Sequence, residues 1–379
     1  MRAWSLRRRR TVVPPLPSDD LLVTEENLRH ALEDVLSVRE RQIRGGVIVF
    51  RGDLRVDRSR ALDALLVRLK PFGYTPFLKA EPGGVMVQAW PLGDLTQAAR
   101  PGLAVALFIL TVLSTFGAGY LFFTGSETFD ALRALPFPAS LLSGAPFAVT
   151  LLTILGVHEF GHYFTARYYG AAVSLPYFIP APMLFGTFGA VIRMRSPARD
   201  RNSLFDIAAA GPLAGLLVAL PALVVGLMWS QVATTPANAG FGGFGYSLLT
   251  RLFVYLRFGA LPDGTSIVTH PMADAAWVGC FVTALNLVPV GQLDGGRIAY
   301  ALSARRHRML GVVTWVVLLT LGALTGSVNW FVWAALLLFL VGFDHSPPLD
   351  DLTPLTPARQ GLGIVCLALV ILLLPPIPI

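Results

Sequence analysis

The chain reads ASLLSGAPFAVTLLTILGV from Ala139 to Val157 and continues directly into HEFGH, His158-Glu159-Phe160-Gly161-His162. An apolar run of this length is able to cross a bilayer as a helix. Residues four apart on a helix lie one turn apart on the same face, so His158 and His162 have the spacing of two ligands to a single zinc. Glu159 then stands beside the metal, where a carboxylate can act as a base. A lone histidine in an apolar helix is more often a packing or hydrogen-bonding residue. Two histidines and a glutamate at one place are different, because each buried ionisable group costs roughly 2.5–3.5 kcal/mol on insertion scales and is retained for function.

The composition agrees with a membrane setting. The chain has 379 residues, of which 54% are hydrophobic and only 14% charged. That balance belongs to polytopic membrane proteins rather than soluble enzymes. Its two cysteines, Cys280 and Cys366, are far apart and form no CxxC pair, which excludes a thiolate zinc site. The net charge of +7 is mostly arginine and reads as membrane orientation rather than nucleic-acid binding. Arg7-Arg8-Arg9-Arg10 is followed by Pro14-Pro15 and Asp19-Asp20 without an apolar core, so a basic tail touching anionic lipid is expected rather than a secretory signal.

Residues 1–95 read as a small soluble αβ domain. Thr24 is placed to cap a helix with Glu25 and Glu26 in its first turn and Leu28, Leu32, Val35 and Leu36 inside. Gly46 to Val56 has strand character, and Asp57 is placed to cap a second helix that buries Leu62, Leu65, Leu66 and Leu69. Tyr74–Ala80 and Val85–Trp90, joined through Gly83-Gly84, read as a hairpin. A regulatory role is the expectation here, since no catalytic constellation falls in this region.

Residues 96–379 form the membrane domain, with a core at about 139–300. Seven spans are expected near 102–124, 139–157, 204–229, 272–290, 309–326, 328–343 and 361–377. Arg193, Arg195, Arg199 and Arg201 follow the second span, and Arg297, Arg305, Arg306 and Arg308 follow the fourth. The segments after the first and third hold only Arg133, Arg251 and Arg257. The positive-inside rule therefore places the N-domain and both arginine-rich segments in the cytoplasm. His158, His162 and Asp294 then end their spans at the same membrane face.

A hydrolytic zinc takes three protein ligands and leaves a fourth position for water. Asp294 is the natural third ligand, ahead of Asp206 and Asp274, which sit at span edges beside polar sequence. Gly295-Gly296 after it lets backbone pass close to the metal or substrate, since glycine has no Cβ. Asn286, on the same segment, is a candidate donor to developing negative charge; its alternative is a helix–helix hydrogen bond. Chemistry of this kind leads one to expect a zinc-dependent endopeptidase holding one Zn2+ and acting on single-span or other transmembrane proteins. A metal transporter would need no Glu159 and would show repeated half-sites, of which there are none. An inactive membrane scaffold would have no use for the complete set of His158, Glu159, His162 and Asp294.

HEFGH together with Asn286-Leu-Val-Pro289-Val-Gly-Gln292-Leu-Asp294-Gly-Gly resembles the site-2 protease family of intramembrane zinc metalloproteases. Leu175–Pro180, Gly186-Thr-Phe-Gly-Ala190, Gly211-Pro-Leu-Ala-Gly215 and His345-Ser-Pro-Pro-Leu-Asp-Asp make it similar to the EGY-type branch of chloroplasts and bacteria. The resemblance implies a three-helix core from the second, third and fourth spans, regulated cleavage of membrane proteins, and transition-state support from Asn286. It also implies a membrane-embedded β-hairpin at 173–195. A helical substrate hides its scissile bonds in its own hydrogen-bond ladder, so the edge at Gly186–Arg195 is suited to holding an unwound segment. Arg297 stands where the resemblance leads one to expect histidine. The short basic N-terminus points to a bacterial inner membrane, the alternative being a thylakoid.

Overall fold

The computed structural model describes residues 18–92, 101–123, 129–182, 185–234, 245–262 and 264–375. The arginine run expected to touch lipid lies outside the described residues. The chain divides into two compact units, the first within Met1–Gln97 together with Ser196–Arg201 and Ser346–Pro354.

The first unit contains α1 (Ser18–Leu32), β1 (Leu36–Arg44), β2 (Val47–Leu54), α2 (Arg58–Leu69), β3 (Thr75–Glu81) and β4 (Gly84–Trp90). The strands form one antiparallel sheet in the order β1-β2-β4-β3. Leu28 and Leu32 of α1 and Leu62, Leu65 and Leu69 of α2 are buried in one core with Ile48, Phe50 and Val87 of the sheet. Two expectations need correction. Thr24 lies inside α1 rather than capping it, because the helix already runs from Ser18. Asp57 does hold the N-cap position of α2, but its side chain makes no capping bond. β1 was hidden from pattern reading because its burial does not alternate and its register shifts between Val38 and Glu40. The two later segments extend the sheet. Leu78 of β3 donates its N–H to the Leu349 carbonyl at 2.7 Å, and Leu349 donates to Ala198 at 2.9 Å.

The second unit is mainly helical: α3 (Pro101–Phe122), α4 (Asp130–Arg133), α5 (Ala145–Tyr168), β5 (Tyr177–Pro180), β6 (Thr187–Val191), α6 (Arg201–Met228), β7 (Gln231–Ala233), α7 (Leu248–Phe258), β8 (Ser266–Val268), α8 (Pro271–Leu287), α9 (Asp294–Leu302), α10 (His307–Thr325), α11 (Val328–Leu336) and α12 (Pro357–Leu373). Among the described residues, four helical stretches are long and apolar enough to cross a membrane: Pro101–Phe122, Ala139–Tyr168, Arg201–Met228 and His307–Thr325. Val328–Val341 and Pro357–Leu373 are apolar but shorter. β5 and β6 pair antiparallel, and β7 pairs with β8.

Glycines set how closely the central helices approach. A Cβ on Gly161 of α5 would stand 2.7 Å from the Ala210 carbonyl of α6, and one on Gly279 of α8 would stand 2.8 Å from Ile154 of α5. α5 is thereby in backbone-level contact with α6 and in close side-chain contact with α8. The fourth apolar segment differs from expectation. It ends as a helix at Leu287, turns through Pro289 and Gly291, whose φ is +50°, and resumes as α9 at Asp294. Proline cannot donate to a helix ladder and glycine tolerates the left-handed region, so this sequence turns where a continuous span was expected.

Candidate metal centre

Helical spacing alone brings His158 and His162 onto one face of α5, and both are buried. The Nδ1 of His162 lies 2.6 Å from the Ile207 carbonyl of α6. A ring nitrogen meeting a carbonyl must carry the proton, which leaves the lone pair on Nε2. Nε2 of His162 faces Nε2 of His158 at 3.2 Å. Asp294, the first residue of α9, brings Oδ2 to 3.1 Å from His162 Nε2 and 3.5 Å from His158 Nε2.

These three separations decide whether a metal fits. Two ligands about 2.0–2.1 Å from a tetrahedral zinc stand roughly 3.3 Å apart. All three edges of the cluster are close to that length. Among the described residues this is the one group of three or more His, Cys, Asp or Glu whose ligand atoms converge. The donor set, two imidazoles and a carboxylate, is that of a hydrolytic zinc with a position left for water.

The competing aspartates are occupied elsewhere. Asp206 accepts from Arg359 at 2.7 and 2.6 Å and from the Tyr169 hydroxyl. Asp274 accepts from Thr269 at 2.6 Å. Glu159 is buried next to the cluster, with the backbone of Ile192, just past β6, near enough to act on its carboxylate. Asn286, in the last turn of α8, places its amide nitrogen 3.3 Å from His158 Nε2. It therefore faces the same lone pair that a metal would take.

Two features were not read from the sequence. The first is the Ile207 carbonyl, a backbone atom that no side-chain motif signals. The second is the wall of α6. A Cβ on Gly211 would overlap the His162 ring, and one on Gly215 would stand 3.2 Å from His158 Cβ. Gly211-Pro-Leu-Ala-Gly215 is a small-xxx-small pattern, and that signal was available. The role given to Gly295-Gly296 also changes. Their missing Cβ atoms make room for the carbonyls of Leu287, Val290 and Gly291 in the preceding turn, not for metal or substrate.

A largely apolar helical protein that gathers two histidines and an aspartate around a zinc-sized gap, with a glutamate alongside, has the constitution of a membrane metallohydrolase of the His-Glu-x-x-His type. Residues 146–327 match the family model of peptidase family M50. The chain is 31% identical over 360 residues to a protein of Arabidopsis thaliana named "Probable zinc metalloprotease EGY2, chloroplastic", covering 91% of this chain and 63% of that one. It is 30% identical over 375 residues to a rice (Oryza sativa subsp. japonica) protein named "Probable zinc metalloprotease EGY1, chloroplastic", covering 88% and 63%. A third, Arabidopsis "Probable zinc metallopeptidase EGY3, chloroplastic", is 29% identical over 287 residues, 69% of this chain and 46% of that protein. The chain thus spans less than two thirds of the length of these relatives. No solved structure matches it. The expectation of a bacterial inner membrane gains no support from relatives with chloroplastic names.

Proposed function

We propose that the chain is a zinc-dependent intramembrane endopeptidase that hydrolyses peptide bonds in or near transmembrane segments of other proteins. The observation that supports this best is the convergence of His158, His162 and Asp294 from separate helices beside buried Glu159. When bound, zinc supplies Lewis acidity that acidifies water and polarises the scissile carbonyl. Glu159 takes the proton of the attacking water as the C–O bond forms, then delivers it to the amine as the C–N bond breaks. Asn286 offers its amide protons to the negative charge that develops on the carbonyl oxygen. The catalytic residues are then Glu159 and Asn286, and the metal ligands His158, His162 and Asp294.

The membrane arrangement belongs to the same proposal. Seven spans are counted by adding α8, α11 with its π-helical continuation to Val341, and α12 to the four long helices. Their orientation puts the metal ligands towards the cytoplasmic or equivalent face. The β5–β6 pair lies within the membrane and offers β6 as an edge for an unwound substrate segment. The partners are transmembrane protein substrates and membrane lipids. The relatives' names favour a chloroplast membrane over a bacterial inner membrane. The intact acid–base and ligand set speaks against an inactive scaffold. The absence of a second ligand cluster among the described residues speaks against a transporter.

The direct test is zinc content of detergent-purified wild type and Glu159→Gln, each incubated with a tagged single-span substrate. One zinc in both and cleavage by the wild type alone is the expected result. Cleavage by the Glu159 variant would remove the base assignment, and absence of zinc from both would favour the scaffold.

A further inference from the structure

Arg297 lies one turn along α9 from Asp294, so both side chains leave the same face of the helix. Its guanidinium is partly buried and close enough to Glu159 to act on that carboxylate's charge. Its guanidinium donates to the Met194 sulfur at 3.7 Å, a poor partner for a cation. Among the described residues no carboxylate forms an ion pair with it. Other partly buried arginines have carboxylate partners: Arg359 is held by Asp206 and Arg201 by Asp351. A guanidinium is a rigid fork of donors fitted to two oxygens of one anion. Met194 lies three residues past the end of β6, so Arg297 stands beside the end of that strand as well as near the base.

We propose that Arg297 is a specificity residue that binds a carboxylate of the polypeptide being cut. This rests on the protease reading above. Two sources share that chemistry. One is an aspartate or glutamate side chain flanking the scissile bond. The other is the new C-terminal carboxylate that hydrolysis creates. In either case the guanidinium completes a bidentate pair that the resting protein lacks.

The test uses full-length zinc-loaded protein in detergent and a tagged single-span substrate whose cut is mapped by mass spectrometry. A second substrate carries Asn or Gln for each Asp or Glu flanking the cut. A labelled peptide ending at the new C-terminus is prepared as acid and as amide, and its Kd is measured by anisotropy. If a side chain is the anion, the wild type's KM rises about tenfold to a hundredfold on the amide substrate. If the nascent terminus is the anion, the acid peptide binds tighter than its amide by a similar factor. Arg297→Gln should erase whichever preference is present, and Arg297→Lys should keep part of it, both with unchanged zinc content. A wild type that treats acid and amide forms alike in both arms overturns the proposal, whatever the folding of the variants. So does an Arg297→Gln enzyme with lower kcat on every substrate and unchanged KM, because Arg297 would then act on Glu159. Failure of the wild type to cleave any substrate is a separate result, which removes the protease reading itself.

Discussion

A Cβ on Gly211 would overlap Nε2 of His162, the atom that would reach a metal, whereas one on Gly215 would stand 3.2 Å from the Cβ of His158 and 3.4 Å from its Nδ1, with no overlap. Gly211→Ala is therefore expected to weaken zinc binding by about ten- to a hundredfold, the range seen when a ligand's support is lost. Gly215→Ala should be much milder. Competition for zinc against a chelator of known affinity separates the two, and equal affinities would show that the ring can move aside. The cluster of His158, His162 and Asp294 was legible because metal chemistry demands particular side chains at particular spacings. Asp294 was legible because Asp206 and Asp274 sit in polar sequence, and the structure finds each with a partner of its own. The Ile207 carbonyl was not legible, since every residue except its position in space offers the same backbone atom.

Among the elements, α3 meets the β5–β6 pair through Phe108, whose ring packs on Phe178 at 5.0 Å, and through Ser114 at the turn between the strands. Ser114 Oγ of α3 donates to the Gly186 carbonyl at 2.6 Å, and Gly186 has φ +73° against the backbone of Thr115. Ser114→Ala removes one hydrogen bond, about 1 kcal/mol. Gly186→Ala adds both a left-handed backbone strain and a clash, so it should destabilise the pair by more. Limited proteolysis around residues 177–191 should speed up in the order wild type, Ser114→Ala, Gly186→Ala. No difference between the two variants would mean that the close approach to α3 does not hold the strands. Strand character here was read from the resemblance rather than from periodicity, because strands this short give little alternation. The break between α8 and α9 was present in the sequence as Pro289 and Gly291, but hydropathy averaging ran across it.

For the whole molecule, composition and arginine placement were sufficient to expect a membrane protein with a separate αβ unit. They gave no sign that Ser196–Arg201 and Ser346–Pro354 join the first unit, because short polar segments carry no signal for a distant strand partner. Their ion pairs differ in burial. Asp351 is 4% exposed where it meets Arg201 at 2.7 Å, whereas Arg199 and Asp63 are 44% and 57% exposed. Arg201→Gln leaves a buried carboxylate without its cation and should lower the stability of the first unit by about 1–3 kcal/mol. Arg199→Gln should lower it by less than about 1 kcal/mol. Thermal unfolding of the two variants in the same detergent checks the order, and equal losses would contradict it.

Zinc K-edge X-ray absorption of the zinc-loaded protein, compared with Asp294→Ala, tests the metal centre most directly. Two imidazole nitrogens and oxygen ligands at about 2.0–2.2 Å, with oxygen scattering or zinc itself lost in Asp294→Ala, are expected. Sulfur scattering at about 2.3 Å, or a first shell unchanged by the loss of Asp294, would contradict a centre built from His158, His162 and Asp294.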